Sequence, residues 1–363
     1  MFQVLWFFIY LSNVNLILAG LYRLKCFYWG RTSCQHPSCT FEAKTTISRD
    51  INMKKEHLFI TIFMLTTIIN ILSSCSSHKK NIKIDPIVNL NLSGTIMHDI
   101  TYHIVDGMEI KLDVIAPRIY LGNDPWYKYE GKKRPVLLFI HGGGWIVGDK
   151  AASTIDLMPY AARKWAIVNI NYRLANVAKA PASVIDARKA LEWIYENSEN
   201  YYFDTDNIVI AGESAGAHLA LMTGLLKKND SVCGNKFIVE KDYKVNAIIN
   251  WNGSANVMYP EFKNHPWLDP NDEFEKTAKS LSPITYLRKN SPPIISIQGT
   301  NDPFIPIEAS EILHATCNKI GIKNKLIKIK GKGHGNYSAE ERTYIYDEIW
   351  KFLEEIRTKT TGE

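Results

Sequence analysis

The stretch NIVIAGESAGAHLALMTGLL, residues 207–226, decides the fold. After Asn207, residues 208–212 are apolar without alternation, the mark of a strand covered on both faces. The residues from Ser214 onward are good helix formers. Ser214 therefore sits on a sharp strand-to-helix turn, between Gly212 and Gly216, where larger side chains would collide. Such a turn holds the serine hydroxyl at a helix N-terminus. The free N–H groups and the helix dipole there favour developing negative charge. The arrangement exposes a nucleophile and supplies part of an oxyanion site.

Working outward, four more runs read as buried strands: PVLLFI (135–140), AIVNI (166–170), NAIINW (246–251) and PPIISIQG (292–299). A further strand-like run, KLIKIKG, covers 325–331. Between them lie helical patterns. Val184, Ala187, Leu191 and Ile194 recur on one face, with Pro181 near the start, and Ile345, Ile349, Phe352 and Ile356 recur on one face of a last helix over roughly 338–357. Upstream, GTIMHDITYHIV and MEIKLDVIAP alternate apolar and polar residues and read as two half-exposed antiparallel strands. Residues 118–134 read as a polar, aromatic surface insertion. Buried strands alternating with amphipathic helices give an α/β fold: a mostly parallel central sheet flanked by helices. Reactive groups in such sheets gather at the carboxyl ends of the strands.

A serine hydroxyl needs a base, and the base an orienting acid. Of the ten histidines, His334 lies in the loop GKGHGN beyond a strand end. His218 lies one helical turn past the serine and is expected to pack. His141 opens a glycine loop and is expected to brace it. Asp302 follows PPIISIQG and is the expected acid, ahead of the loop residues Asp269 and Asp272. The strand 135–140 ends in Gly142, Gly143 and Gly144. Their backbone N–H groups can approach a carbonyl oxygen closely, so Gly142 and Gly143, with Ala215 after the serine, are the expected oxyanion donors.

The 363 residues are 46% hydrophobic and 22% charged, with a net charge of +6. No basic helix face with interleaved aromatics appears, which argues against nucleic acid as a partner. Met53, two lysines, an apolar run over 58–72 and the ending L-S-S-C have the order of a bacterial lipoprotein signal, with Cys75 as the lipid-bearing residue. The expected organisation is a leader at 1–52, either upstream of the true start at Met53 or a membrane segment. A signal peptide at 53–74, a tether at 75–93 and a catalytic domain at 94–363 follow. The expected location is a bacterial periplasmic face or cell surface, with the membrane reached through a lipid anchor. Cys34, Cys39 and His36 are weak as a metal site, and neither metal nor cofactor is expected. Cys233 and Cys317 are free to pair or to stay reduced. Oligomeric state is not legible.

HGGGWIVGDK, NYRLA, APASVIDARKALEWI, DNIVIAGESAGAHLA, QGTNDPFIP and GHG together resemble the α/β-hydrolase superfamily. Within it the likeness is to hormone-sensitive-lipase-like esterases, above all bacterial acetyl-xylan and feruloyl esterases, and it covers about residues 95–356. The resemblance implies Ser214 as nucleophile, His334 as base and acid, Asp302 as orienter, and a structural role for Arg173 and Asp186. It implies hydrolysis of carboxylic esters, with acetyl or feruloyl groups on carbohydrate as the substrate. The rivals are a small-molecule carboxylesterase, a formamide-cleaving amidase and a non-catalytic binding protein. A large N-terminal helical cap has no room before residue 95, so an open cleft is expected. Trp126, Tyr127, Tyr129, Trp145, Trp251 and Trp267 are candidates for stacking on sugar or aryl groups.

Overall fold

The computed structural model describes residues 94–116, 132–236 and 242–360. Eight strands form one sheet: β1 (Thr95–Val105), β2 (Met108–Ala116), β3 (Arg134–Ile140), β4 (Ala166–Ile170), β5 (Phe203–Glu213), β6 (Ala247–Trp251), β7 (Ile294–Gly299) and β8 (Asn324–Ile329). Their order across the sheet is β1-β2-β4-β3-β5-β6-β7-β8. β1 and β2 form an antiparallel hairpin that joins β4 antiparallel, and every pairing from β4 to β8 is parallel. The helices of five or more residues are α1 (Met158–Ala162), α2 (Ala182–Glu196), α3 (Ala215–Leu225), α4 (Phe274–Ser280), α5 (Ile307–Ile320) and α6 (Ala339–Thr360). No helix among the described residues is long and apolar enough to cross a membrane.

The alternation of side chains along each strand builds two cores. Val136, Leu138 and Ile140 of β3 join the cluster that holds Val184 and Leu191 of α2 and Leu219 of α3. Leu137 and Phe139 join the opposite one, with Tyr160 of α1 and Ile345, Ile349 and Phe352 of α6. These are the α6 residues whose spacing marked one face. α3 has no polar face to spare, because all eleven of its residues are buried. Each leucine so buried contributes about 1.5–3 kcal/mol.

One strand departs from expectation. β2 is buried from Leu112 to Ala116, where the alternating pattern predicts a half-exposed strand. The polar residue in that stretch, Asp113, is 2% exposed and pairs with Lys150 at 3.1 Å. Cys233 and Cys317 are both free thiols, and burial pushes each up to about 11. The expectations for Cys75, the signal segment, the tether up to residue 93 and the 1–52 leader fall outside the described residues. So do those for Cys34, Cys39, His36, Trp126, Tyr127 and Tyr129.

Candidate active site

Ser214 caps α3 at φ 55° and ψ −119°, a left-handed backbone that a side chain adopts only under strain. The turn is fixed from both sides. Ser214 N–H donates to Trp251 O at 2.8 Å, and Ser214 O accepts from the N–H groups of Ala217 and His218. Space explains Gly216: a Cβ there would meet the carbonyl oxygens of Ile140 and His141 at 2.1 and 2.4 Å. α3 is thereby pressed against the end of β3, and the glycine loop falls beside the serine.

The structure brings the three expected side chains together. His334 Nε2 lies 2.8 Å from Ser214 Oγ, and His334 Nδ1 lies 2.7 Å from Asp302 Oδ2. A carboxylate can only accept, so Nδ1 carries the proton and Nε2 accepts from the serine hydroxyl. Asp302 is 9% exposed, and its other oxygen accepts from the N–H groups of Phe304 and Ile305 at 2.9 and 3.0 Å. Asp302 follows β7, His334 follows β8 and Ser214 follows β5, so parallel pairing alone delivers all three to one edge of the sheet.

The loop after β3 completes that edge. Gly143 has φ +117°, and a Cβ on it would fall 1.9 Å from Val147 O. The N–H groups of Ile146 and Val147 both donate to Gly143 O. Gly142, Gly143 and Ala215 line the same cleft as Ser214 and His334. Ala215 is the first residue of α3, where N–H groups have no intrahelical acceptor.

His141 braces this loop as expected. It is buried, stacks on Tyr172 with centroids 4.4 Å apart, and lies 2.7 Å from Gly142 O. Burial holds it below the ordinary histidine range, despite the bond to Gly142. His218 packs, also as expected: its Nε2 faces Leu281 O at 2.7 Å, and burial pushes it down to about 4. Farther along the loop, Lys150 is 6% exposed and bridges Asp99 and Asp113 of the β1–β2 hairpin. Arg173 grips Asp186 with Nε and a terminal nitrogen at 2.8–3.1 Å, the structural role expected for that pair.

The cleft measures about 820 Å³. Two of the expected tryptophans, Trp251 and Trp267, are a correction, since neither is part of its lining. Trp145 and Trp267 are 4% and 1% exposed and stack on each other, centroids 4.2 Å apart. Trp267 also donates its indole N–H to Ser183 Oγ. Trp251 packs against Tyr337 and Tyr346. Trp267 serves the core, whereas Trp145, on the same stack, keeps its exposed edge in the lining of the cleft. The aromatic at the mouth is instead Phe304, 73% exposed and edge-on to His334 at 5.3 Å, with Tyr259 and Phe262 on the wall.

Sequence reasoning passed over these residues, and over four carboxylates of the lining: Asp149, Asp156, Glu213 and Glu261. Glu213 directly precedes the serine, and loss of bulk water in the cleft raises its pKa, against the opposing pull of His334. The one signal in sequence was the G-E-S-A-G pentapeptide itself, which places a carboxylate next to the nucleophile position.

A hydroxyl, an imidazole and a carboxylate in series at the carboxyl edge of such a sheet make this an α/β-hydrolase. The chain belongs to the BD-FAE family, whose sequence profile matches residues 126–317. It is 29% identical over 200 residues to Esterase LipQ of Mycobacterium tuberculosis, a match covering 53% of this chain and 47% of that protein. The chain spans about half the length of the curated relatives it matches. Among solved structures, a truncated carbohydrate esterase from gut microbiota superposes with a TM-score of 0.59 at 22% identity, covering 72% of this chain and 97% of that one. The bifunctional GH43-CE protein of Bacteroides eggerthii gives a TM-score of 0.59 at 25% identity, covering 71% and 38% respectively.

Proposed function

We propose that the protein is a serine ester hydrolase that removes short acyl groups from carbohydrate. The observation that carries this reading is the unbroken contact from Ser214 Oγ through His334 to Asp302, at 2.8 and 2.7 Å. His334 Nε2 takes the hydroxyl proton as Ser214 Oγ bonds to the ester carbonyl carbon. The carbonyl oxygen becomes an alkoxide, held by the N–H groups of Gly142, Gly143 and Ala215. Collapse breaks the bond to the alcohol, which leaves with the proton from His334. A water then gives a proton to His334 and attacks the acyl-serine. Ser214 departs with that proton, and the acid is released. Asp302 holds the imidazole in its Nδ1–H form throughout and does not itself take the proton.

Esterase names among the relatives support the reaction class. The sugar alcohol is supported by the resemblance to acetyl-xylan and feruloyl esterases and by the aromatic mouth at Phe304, Tyr259 and Phe262. Planar rings of this kind cover the apolar faces of sugars and aryl groups. The sequence ending at Cys75 resembles a lipoprotein signal and supports a place outside the cytoplasmic membrane, where polymeric glycan is found.

The test is hydrolysis of an aryl acetate and of acetylated xylan by the full chain and by Ser214→Ala. Turnover on the aryl ester is expected to fall by about 10⁴–10⁶-fold in the variant, with the fold intact. Acetate release from xylan is expected from the wild type, in the membrane fraction, and not from Ser214→Ala. A Ser214→Ala protein that keeps its activity refutes the nucleophile. Activity restricted to small synthetic esters refutes the carbohydrate substrate.

A further inference from the structure

Gln298 is the penultimate residue of β7, fully buried, and no step above uses it. Its side-chain amide donates to Asp302 Oδ2 at 2.8 Å and to Ile305 O at 2.9 Å. Its carbonyl oxygen accepts from Ser310 Oγ, on α5, at 3.2 Å. Both N–H bonds and the carbonyl are thus engaged, and the amide has one possible orientation. Turned over, it would set an oxygen against a carboxylate and a main-chain carbonyl. Ser310 is 1% exposed, so its hydroxyl is buried with that amide oxygen.

The consequence lies at Asp302. Its Oδ1 takes the two main-chain N–H groups, and its Oδ2 takes both His334 Nδ1–H and Gln298. The oxygen that supports the imidazole is therefore shared. We infer that Gln298, locked by Ser310, is a positioning residue that fixes the Asp302 carboxylate and draws part of its charge away from His334. This rests on the Ser214–His334–Asp302 reading above. A donor to Oδ2 stabilises the carboxylate and leaves less of its charge for an imidazolium. Without that donor, His334 holds its proton more tightly, and the form able to accept from Ser214 appears only at higher pH.

Other groups face the pair. Glu213 approaches His334 from the end of β5, and its charge favours the imidazolium. Tyr337, on the His334 loop, spends its hydroxyl on Asn252 Oδ1. Lys332, earlier in that loop, is paired with Glu341. All remain in the variants below, so the change at Gln298 is read as a difference.

The experiment measures the rate of labelling by a fluorophosphonate probe, and kcat/KM on an aryl acetate, across pH for wild type, Gln298→Leu and Ser310→Ala. The acid limb of Gln298→Leu is expected to move up by roughly 0.5–1 pH unit, with the limb of Ser310→Ala moving the same way by less. A side chain that merely filled space would lower the plateau and leave the limb in place. Folding is checked by circular dichroism; if Gln298→Leu does not fold, Ser310→Ala decides by the same criterion. Limbs of the folded variants that coincide with wild type overturn the inference while leaving the relay standing. A wild-type protein that the probe does not label at Ser214 overturns the relay, and this inference with it.

Discussion

Two imidazoles near the proposed nucleophile, one beside it in space and one a helical turn along the chain, show how environment divides labour between identical side chains. His334 reaches solvent in the cleft and has a carboxylate behind it. His218, on the first turns of α3, has neither. It lies edge-on to Trp145 and Trp267, with centroids 5.1 and 5.3 Å away, and faces only the Leu281 carbonyl. An imidazolium there would lose its water and gain no counter-charge, which is why burial brings it down to about 4. In the unfolded chain it titrates near 6.5. Between those values the unfolded state binds the extra proton, so stability falls as pH falls. The contribution is complete above about 6.5 and is lost on the way down to about 4, amounting to roughly 3 kcal/mol. The midpoint of thermal unfolding, followed from pH 7 to pH 4 for wild type and His218→Gln, is expected to decline less steeply in the variant. Parallel curves would show that His218 does not carry the acid sensitivity.

The glycine loop between β3 and α1 is the element on which the proposed oxyanion site depends, and it is held from its far end. Asp149 accepts from Ala151 N–H at 2.8 Å, Lys150 N–H donates to Asn171, and Lys150 Nζ reaches Asp99 and Asp113 across the sheet. Lys150→Met would keep the volume and abandon Asp113, whose side chain is 3% exposed. Removing one partner of a buried pair costs about 3–5 kcal/mol. The lower end applies here, because Asp99 N–H and His98 still face that carboxylate. A fall in melting temperature of roughly 6–12 °C is expected, with kcat on an aryl acetate reduced more than KM is raised. An unchanged kcat in a destabilised variant would separate the brace from the chemistry.

The same pair marks the limit of what the strand pattern tells. β3, β4, β6 and β7 were legible because strands covered on both faces are apolar without interruption. β2 was misread because Lys111 and Asp113 imitate the alternation of a half-exposed strand, and only a lysine 37 positions away shows that Asp113 is inside. Ser214, Asp302 and His334 were legible because each follows a recognisable strand. Gln298, Glu213 and Phe304 were not, since their roles depend on what tertiary structure sets beside them. Trp267 was misjudged for the same reason: a tryptophan supplies a binding face or a core according to its neighbours.

Over the whole molecule, charge is unevenly placed. The chain carries +6, yet the described lining of the cleft contains Asp149, Asp156, Glu213, Glu261 and Asp302 and no lysine or arginine. Arg342 reaches Asp156 from outside the cleft at 2.9 Å and offsets one of these charges. A concave, low-dielectric wall of one sign repels ligands of that sign before contact and more strongly within it. An ester with an anionic alcohol is therefore expected to be a poor substrate, and a neutral one a good substrate, as suits an unsubstituted sugar. The comparison that isolates charge is 4-acetoxyphenylacetate against its neutral amide, which have leaving groups of similar reactivity. At low salt kcat/KM for the anion is expected to be lower by about 10-fold, and the gap is expected to narrow as ionic strength rises and the Debye length shrinks. It should narrow again toward acid pH. Glu213, its pKa raised by loss of bulk water, is then among the first of these carboxylates to lose its charge. Equal rates for the two esters at low salt, or a preference for the anion, would mean that the carboxylates in the wall do not select the substrate.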